Sequence, residues 1–202
     1  MGRIKFIGQS VNYVGGYGND DTIESAARTC TQTTSKKSKG FVKNLIKRGH
    51  MSPIEFGFAD FLIVCDRAIQ QELTRHRLFS FNIESTRWIN YKNKPIRFVT
   101  KPTKNDNIPK EAVELLEKWC ELSVLVYDTL LDIGVKRDYA RKVFPLALAS
   151  SVRMAGNIRT WFEMLPKRLS KNAHPEIQEI ANDINDILKT KNPEVFENDQ
   201  GI

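Results

Sequence analysis

Residues 109–134 read Pro109-Lys110-Glu111-Ala112-Val113-Glu114-Leu115-Leu116-Glu117-Lys118-Trp119-Cys120-Glu121-Leu122-Ser123-Val124-Leu125-Val126-Tyr127-Asp128-Thr129-Leu130-Leu131-Asp132-Ile133-Gly134. Ala112, Leu116, Trp119, Ser123, Val126, Leu130 and Ile133 recur at spacings of three and four, the period of one helix face. Proline at the start and glycine just past the end are the residues helices favour at those places. The spacing therefore predicts a helix over 109–133.

Upstream of it, Ile96 to Thr100 has strand character, while residues 78–94 lack any period and read as a loop. Asp66 is placed to cap a helix running into Arg75-His76-Arg77. Phe56 to Val64, rich in aromatic and β-branched residues, reads as a strand buried on both faces. Gly15-Gly16-Tyr17-Gly18-Asn19-Asp20 suggests a turn before a helix over Thr22 to Thr29. Lys36, Lys37, Lys39, Lys43, Lys47 and Arg48 accompany apolar Phe41, Val42, Leu45 and Ile46, the pattern of an amphipathic helix with a solvated outer face, ending at Gly49. Downstream, Lys136 to Val143 reads as a helix and Leu146 to Arg153 as a strand. Asn157 can cap a helix through Leu165. A last helix over Pro175 to Leu188 carries Ile177, Ile180, Ala181, Ile184 and Ile187 on one side. The class is α+β with helix in excess, and with no repeat or linker the whole of residues 1–202 reads as a single domain.

Composition bounds what such a fold does. With 41% apolar residues the 202-residue chain can bury a proper core. No stretch is apolar enough to span a membrane, and the start lacks the apolar run of a signal peptide. Cys30, Cys65 and Cys120 are odd in number and far apart, which excludes a disulfide framework or a CxxC metal site. A soluble cytoplasmic protein with no bound metal is expected. The net charge of +7 favours anionic partners without choosing among nucleotides, folates and nucleic acid.

Residues 75–87 sharpen that choice: Arg75-His76-Arg77-Leu78-Phe79-Ser80-Phe81-Asn82-Ile83-Glu84-Ser85-Thr86-Arg87. Three guanidinium forks are what bidentate recognition of phosphate or carboxylate requires. Read alone, a basic helix end also caps its own carbonyls and complements the helix dipole. The loop that follows adds short donors and acceptors at Ser80, Asn82, Ser85 and Thr86, carries the third fork at Arg87, and offers flat faces at Phe79, Phe81, Trp88 and Tyr91. Phosphate clamps beside a stacking wall suit a nucleotide. No GxGxxG, Walker sequence or nucleophile elbow is present. Ser85 has no evident base in the sequence, so hydrogen bonding to a ligand suits it better than nucleophilic attack.

The segment Arg-His-Arg, seven residues, Ser resembles the signature of the flavin-dependent thymidylate synthases. Other stretches resemble the same family in the same order: Ala26-Ala27-Arg28-Thr29-Cys30, Gly49-His50-Met51-Ser52-Pro53-Ile54-Glu55, Gln70 to Arg77, Glu84 to Trp88, Ala140 to Pro145, Asn157 to Phe162, and Arg168 followed by Ala173-His174-Pro175-Glu176-Ile177. Coverage runs from about residue 1 to 190. Cys30, Glu72, Glu163 and the stretch Asn172 to Pro175 depart from the family pattern.

The resemblance implies a helix-rich domain with a small central sheet that binds FAD and makes thymidylate from deoxyuridylate (dUMP). Methylenetetrahydrofolate supplies the one-carbon unit and NADPH the reducing equivalents, with no enzyme nucleophile, in a homotetramer whose active sites lie between subunits. It implies flavin contacts near His50, Ser52, Glu55, Arg75, His76, Arg77, Asn157, Arg159, Glu163 and His174. For the nucleotide it implies Glu72, Arg75, Ser85, Thr86, Arg87, Arg141 and Arg168, with Arg168 on the uracil edge stabilising charge as C5 becomes nucleophilic, and with His50 beside it in catalysis. Neither membrane nor nucleic-acid partners are expected. Two rivals stay open: a flavin-dependent pyrimidine nucleotide hydroxymethylase on the same scaffold, and a single-stranded nucleic-acid-binding protein stacking bases on its aromatics.

Overall fold

The computed structural model describes residues 2–34, 38–104 and 106–197; Lys36 and Lys37 of the basic segment lie outside them. The chain is α+β. Its strands are β1 (Ile4–Ile7), β2 (Ser10–Tyr17), β3 (Phe58–Cys65), β4 (Ser80–Ile83), β5 (Ile96–Val99) and β6 (Ser150–Asn157). Its helices are α1 (Asp20–Thr29), α2 (Phe41–Lys47), α3 (Arg67–Leu73), α4 (Lys110–Asp132), α5 (Arg137–Ala140), α6 (Ile158–Leu169), α7 (Pro175–Lys191) and α8 (Pro193–Phe196), with 3-10 turns at Ser52–Phe56, Tyr91–Asn93 and Arg141–Val143. Strands β1 and β5 pair in parallel, and the other four follow the order β2-β3-β6-β4. The chain divides into two compact units, one of Met1–Ser10, Ile63–Arg75 and Asn82–Val152, the other of Val11–Leu62, His76–Phe81 and Arg153–Ile202.

In the first unit the register Ile4↔Ile96 and Phe6↔Phe98 puts alternate apolar residues of β1 and β5 on one face. That face packs on Cys120, Val124 and Tyr127 of α4, with Tyr91, Ala140 and Leu148 completing the core. Phe144 lies 4.7 Å from the Tyr127 ring and 5.5 Å from Tyr91. The buried stripe of α4 is therefore Cys120, Ser123, Val124 and Tyr127. Of the periodic residues read from the sequence, Ser123 is buried, whereas Trp119 is 52% and Ile133 71% exposed. Helix α4 has a second apolar face, turned to solvent.

In the second unit Trp161 of α6 is fully buried, its indole N–H donating to the Ala59 carbonyl at 3.2 Å. Phe61 and Phe79 pack edge-on against it at 5.0 and 4.4 Å. Truncating so large a buried ring typically costs about 3–5 kcal/mol. Ile177, Ile180, Ala181, Ile184 and Leu188 form the buried side of α7. Glu194, in the first turn of α8, caps the start of α2, accepting from Gly40 N at 2.7 Å and Val42 N at 2.9 Å.

Several elements differ from expectation. Strand β1 has no counterpart among the elements expected from the sequence. Gly15, Gly16 and Tyr17 belong to strand β2 instead of a turn, because Gly16 packs so close to β3 that a Cβ there would lie 2.2 Å from the Phe58 carbonyl. Asp66 does cap α3, accepting from Ile69 N at 2.7 Å, but the helix ends at Leu73 and leaves Arg75-His76-Arg77 beyond it. The segment 78–94 contains β4 and a 3-10 turn, and β6 begins at Ser150 instead of Leu146. Among the described residues no helix is long and apolar enough to cross a membrane.

Candidate active site

The second unit holds most of the residues expected at a flavin. Gly49, at φ 77°, ends α2 in the left-handed conformation that glycine adopts without strain. This lets His50 N donate to the Leu45 carbonyl at 2.9 Å while the His50 side chain stays exposed. Ser52 and Glu55, both exposed, follow on the 3-10 turn. Glu55 accepts from Arg159 Nη1 at 2.7 Å, and Glu163, one helical turn along α6, accepts from Arg159 Nε at 2.7 Å. The two carboxylates hold the guanidinium still more firmly in its charged form, Glu163 foremost. They also offset its charge, so Arg159 is a paired cation.

Asn157 and His174 serve helix ends. The Asn157 side-chain oxygen accepts from Thr160 N and Thr160 Oγ1, both at 2.9 Å, starting α6. His174 Nδ1 accepts from Glu176 N at 3.4 Å at the start of α7. His76 is half-buried, and its Nε2 accepts from Arg168 Nε at 2.8 Å. Burial first, then the charges of Arg168 and Lys167, pull its pKa down to about 4, so the ring is neutral at pH 7. Arg77 beside it is exposed.

The first unit holds most of the residues expected at a nucleotide. Ser85 and Thr86 are half-buried in the turn after β4, where the Ser85 carbonyl accepts from Trp88 N and Ile89 N. Arg141 reaches back to them: its Nη1 donates to Thr86 Oγ1 at 2.9 Å, and its Nε to the Asp138 carbonyl at 3.2 Å. Glu72 is half-buried on α3 and Arg75 exposed after it. Arg87 lines a cavity of about 530 Å3 with Trp88, Asn90, Lys136, Arg137 and Asp138. The Trp88 indole is 77% exposed there, and Arg137 Nη1 donates to its carbonyl at 3.0 Å.

The pairing of the arginines separates them. Arg3, Arg28, Arg97, Arg153 and Arg159 each meet a carboxylate. Arg75, Arg77, Arg87 and Arg141 meet none among the described residues. Cations kept solvated and uncompensated are available to an anionic ligand.

Sequence reasoning missed three features. One is the Glu84 network, in which its carboxylate accepts from Tyr91 Oη at 2.9 Å, Ser151 Oγ at 3.0 Å and Arg97 Nη2 at 3.2 Å, bracing the start of the Ser85 turn. Burial and this carboxylate raise the Tyr91 pKa. The second is Lys167 beside His76. The third is the pairing of Arg159, of which the i, i+4 spacing to Glu163 was a readable signal and Glu55 was not.

The sequence profile of the thymidylate synthase complementing protein family matches residues 12–194. A flavin-dependent thymidylate synthase of Kosmotoga olearia is 29% identical, covering 89% of this chain and 85% of that protein. One of Thermosipho africanus is 30% identical over 81% and 77%. The crystal structure of a UMP/dUMP methylase, PolB from Streptomyces cacaoi bound with 5-Br UMP, superposes with a TM-score of 0.81 at 25% identity, covering 97% of this chain and 96% of that one.

Proposed function

This chain belongs to the thymidylate synthase complementing protein family of flavin-dependent thymidylate synthases, and on that premise we propose that it methylates deoxyuridylate to thymidylate. In this reading FAD is the flavin, methylenetetrahydrofolate the one-carbon donor and NADPH the reductant. The observation that carries it is that Arg75, Arg77, Arg87 and Arg141 stand exposed and without carboxylate partners among the described residues, while every one of the proposed ligands is anionic.

The second unit's exposed donors fit a flavin: His50, Ser52 and Arg77 offer hydrogen bonds and charge, and Arg159 a fork already held in place by Glu55 and Glu163. When bound, the flavin supplies the hydride chemistry, and the protein supplies positioning and electrostatics. Ser85, Thr86, Arg87 and Arg141 bind and orient the nucleotide, with Arg141 steadied by Thr86. Arg168 stabilises negative charge on the uracil ring as C5 becomes nucleophilic. The Ser85 hydroxyl has no base bonded to it among the described residues and binds instead of attacking. Cys120 is an implausible nucleophile, since burial, with Glu117 nearby, pushes its thiol up to about 12.

Leu115, Trp119, Leu122 and Val126 lie at helical spacing on α4, all exposed in a single chain. An apolar stripe of this kind suits burial against further copies, and a homotetramer is the assembly we assign. Both units belong to one catalytic domain in this reading, supported by a family profile that spans segments of each. A cytoplasmic location suits its substrates.

The UMP/dUMP methylase similarity favours one second reading, a pyrimidine nucleotide enzyme that accepts the ribonucleotide, and an enzyme of the same scaffold that stops at the hydroxymethyl stage is grouped with it. Incubating the FAD-loaded protein with dUMP or UMP, methylenetetrahydrofolate and NADPH, then weighing the product, distinguishes the two. Thymidylate from dUMP supports the first reading; methylated UMP or a hydroxymethyl product supports the second.

A further inference from the structure

His76 and Arg168, both half-buried in the second unit, are joined by a 2.8 Å hydrogen bond from Arg168 Nε to His76 Nε2. An imidazole accepts at Nε2 only as the neutral tautomer whose proton sits on Nδ1. The groups around it favour that state: Lys167 and Arg168 face the ring from α6, and Arg77 follows it in the chain.

The ring is also held in place. Phe79 N donates to the His76 carbonyl at 3.2 Å, and the Phe79 ring stands edge-on to the imidazole, centroids 6.4 Å apart. Phe79 is itself wedged against Trp161 at 4.4 Å, whose N–H is committed to Ala59. Gly156 of β6 also closes on it, and a Cβ there would come within 2.7 Å of the Phe79 ring. A side chain as short as alanine at 156 would displace Phe79, the ring that stands against His76. The imidazole is an acceptor fixed by the core, pointing at one nitrogen of one guanidinium.

A guanidinium is planar, so fixing Nε–H sets both the plane of the fork and the direction of its end-on edge, Nη1 and Nη2. That edge can donate to a ring carbonyl of a uracil, the atom on which negative charge collects as C5 becomes nucleophilic, whereas the neighbouring N3–H is itself a donor. Without the acceptor, Arg168 retains its charge and loses the hydrogen bond that orients its Nε. Displacement of a stabilising group by an ångström can cost far more rate than binding.

We propose that His76 is the positioning residue for Arg168, accepting its Nε–H through a core-held neutral imidazole and so aiming the guanidinium edge at the base of a pyrimidine nucleotide. This rests on the reading of Arg168 as the residue at the reacting ring. It gives His76 a task separate from contacting the flavin, and makes Phe79, Trp161 and Gly156 its support.

The test compares the wild type with His76→Gln, whose amide oxygen can replace the acceptor without titrating, and His76→Leu, which keeps bulk and removes the acceptor. In the purified full chain, nitrogen-15 NMR follows solvent exchange of the Arg168 Nε–H, assigned by its loss in Arg168→Lys. Steady-state kinetics with dUMP are measured on the FAD-loaded protein. Exchange should be slow in wild type and His76→Gln and fast in His76→Leu. His76→Leu should lose about tenfold or more in kcat with flavin content unchanged, and His76→Gln should recover most of it. Wild-type kcat with slow exchange in His76→Leu would overturn the proposal. Should His76→Leu fail to fold, a folded His76→Gln that has lost both turnover and exchange protection overturns it. A wild-type protein that turns over no pyrimidine nucleotide refutes the parent reading, and the exchange data then decide alone whether His76 aims Arg168.

Discussion

Arg159 Nε donates to Glu163 at 2.7 Å across one turn of α6, while its Nη1 is held by Glu55 at the same distance. A cation implied at a flavin is thus partly neutralised by its own chain. An incoming anion must compete with these carboxylates or gain from the fixed orientation they impose.

Glu163→Gln is therefore expected to strengthen FAD binding severalfold and to make it more sensitive to salt. Both members of the pair are substantially exposed, at 38% and 44%, so solvent screens the pair and the cost in folding stability should be small. Flavin fluorescence titration at two ionic strengths checks the first effect and urea unfolding the second. Unchanged or weaker FAD binding would mean that Arg159 does not face the cofactor.

The His76 ring, with its pKa lowered to about 4 from 6.5, gives a pH dependence of known sign. Below 6.5 the unfolded chain takes up a proton that the folded chain refuses, so the unfolded state gains as pH falls. Stability is fully present above about 6.5, declines toward about 4, and changes no further through this group. Urea midpoints in wild type should fall between pH 7 and 4.5 by more than in His76→Gln. Parallel pH curves in the two proteins would contradict the assignment.

Gly156→Ala should destabilise the fold by about 1–3 kcal/mol, the usual cost of forcing a methyl into a filled site, since the added Cβ meets the Phe79 ring at 2.7 Å. Combining it with Phe79→Leu should return part of the loss. Thermal unfolding of the single and double variants measures the coupling, and strict additivity would show that the contact is not the cause.

On α4, Trp119→Glu and Leu122→Glu alter side chains that are 52% and 47% exposed in one chain. If that face joins copies of the chain, these variants should shift the mass in solution toward smaller species while leaving the far-ultraviolet circular dichroism intact. Light scattering after gel filtration reads the outcome. An unchanged mass would place the subunit contacts elsewhere.

The sequence announced α4, α6 and α7 clearly because each carries both a period and end signals: Pro109 and Gly134, Asn157, Pro175. It announced too little where packing overrides local preference. Gly15 and Gly16 look like turn residues, and only the close approach of β2 to the Phe58 carbonyl explains a glycine inside a strand. Strand β4 has only four residues, too few for the alternation of Ser80, Phe81, Asn82 and Ile83 to stand out from the loop around it. Helix α4 carries apolar residues on two faces, and periodicity alone cannot say which one faces the chain's own core. At the candidate site the residue types were legible, and the partnerships were not. Thr86 with Arg141 and His76 with Arg168 join residues 55 and 92 positions apart, and only the fold brings them together.

The central claim is that this chain methylates deoxyuridylate with a bound flavin. Its most direct test is the mass of the nucleotide formed when FAD-loaded protein receives dUMP, methylenetetrahydrofolate and NADPH, run beside Arg168→Lys. The account predicts a yellow protein whose product carries a methyl group in place of one hydrogen, and an Arg168→Lys variant that keeps its flavin and loses most of that product. Failure to take up flavin, with the nucleotide recovered unchanged, would contradict it.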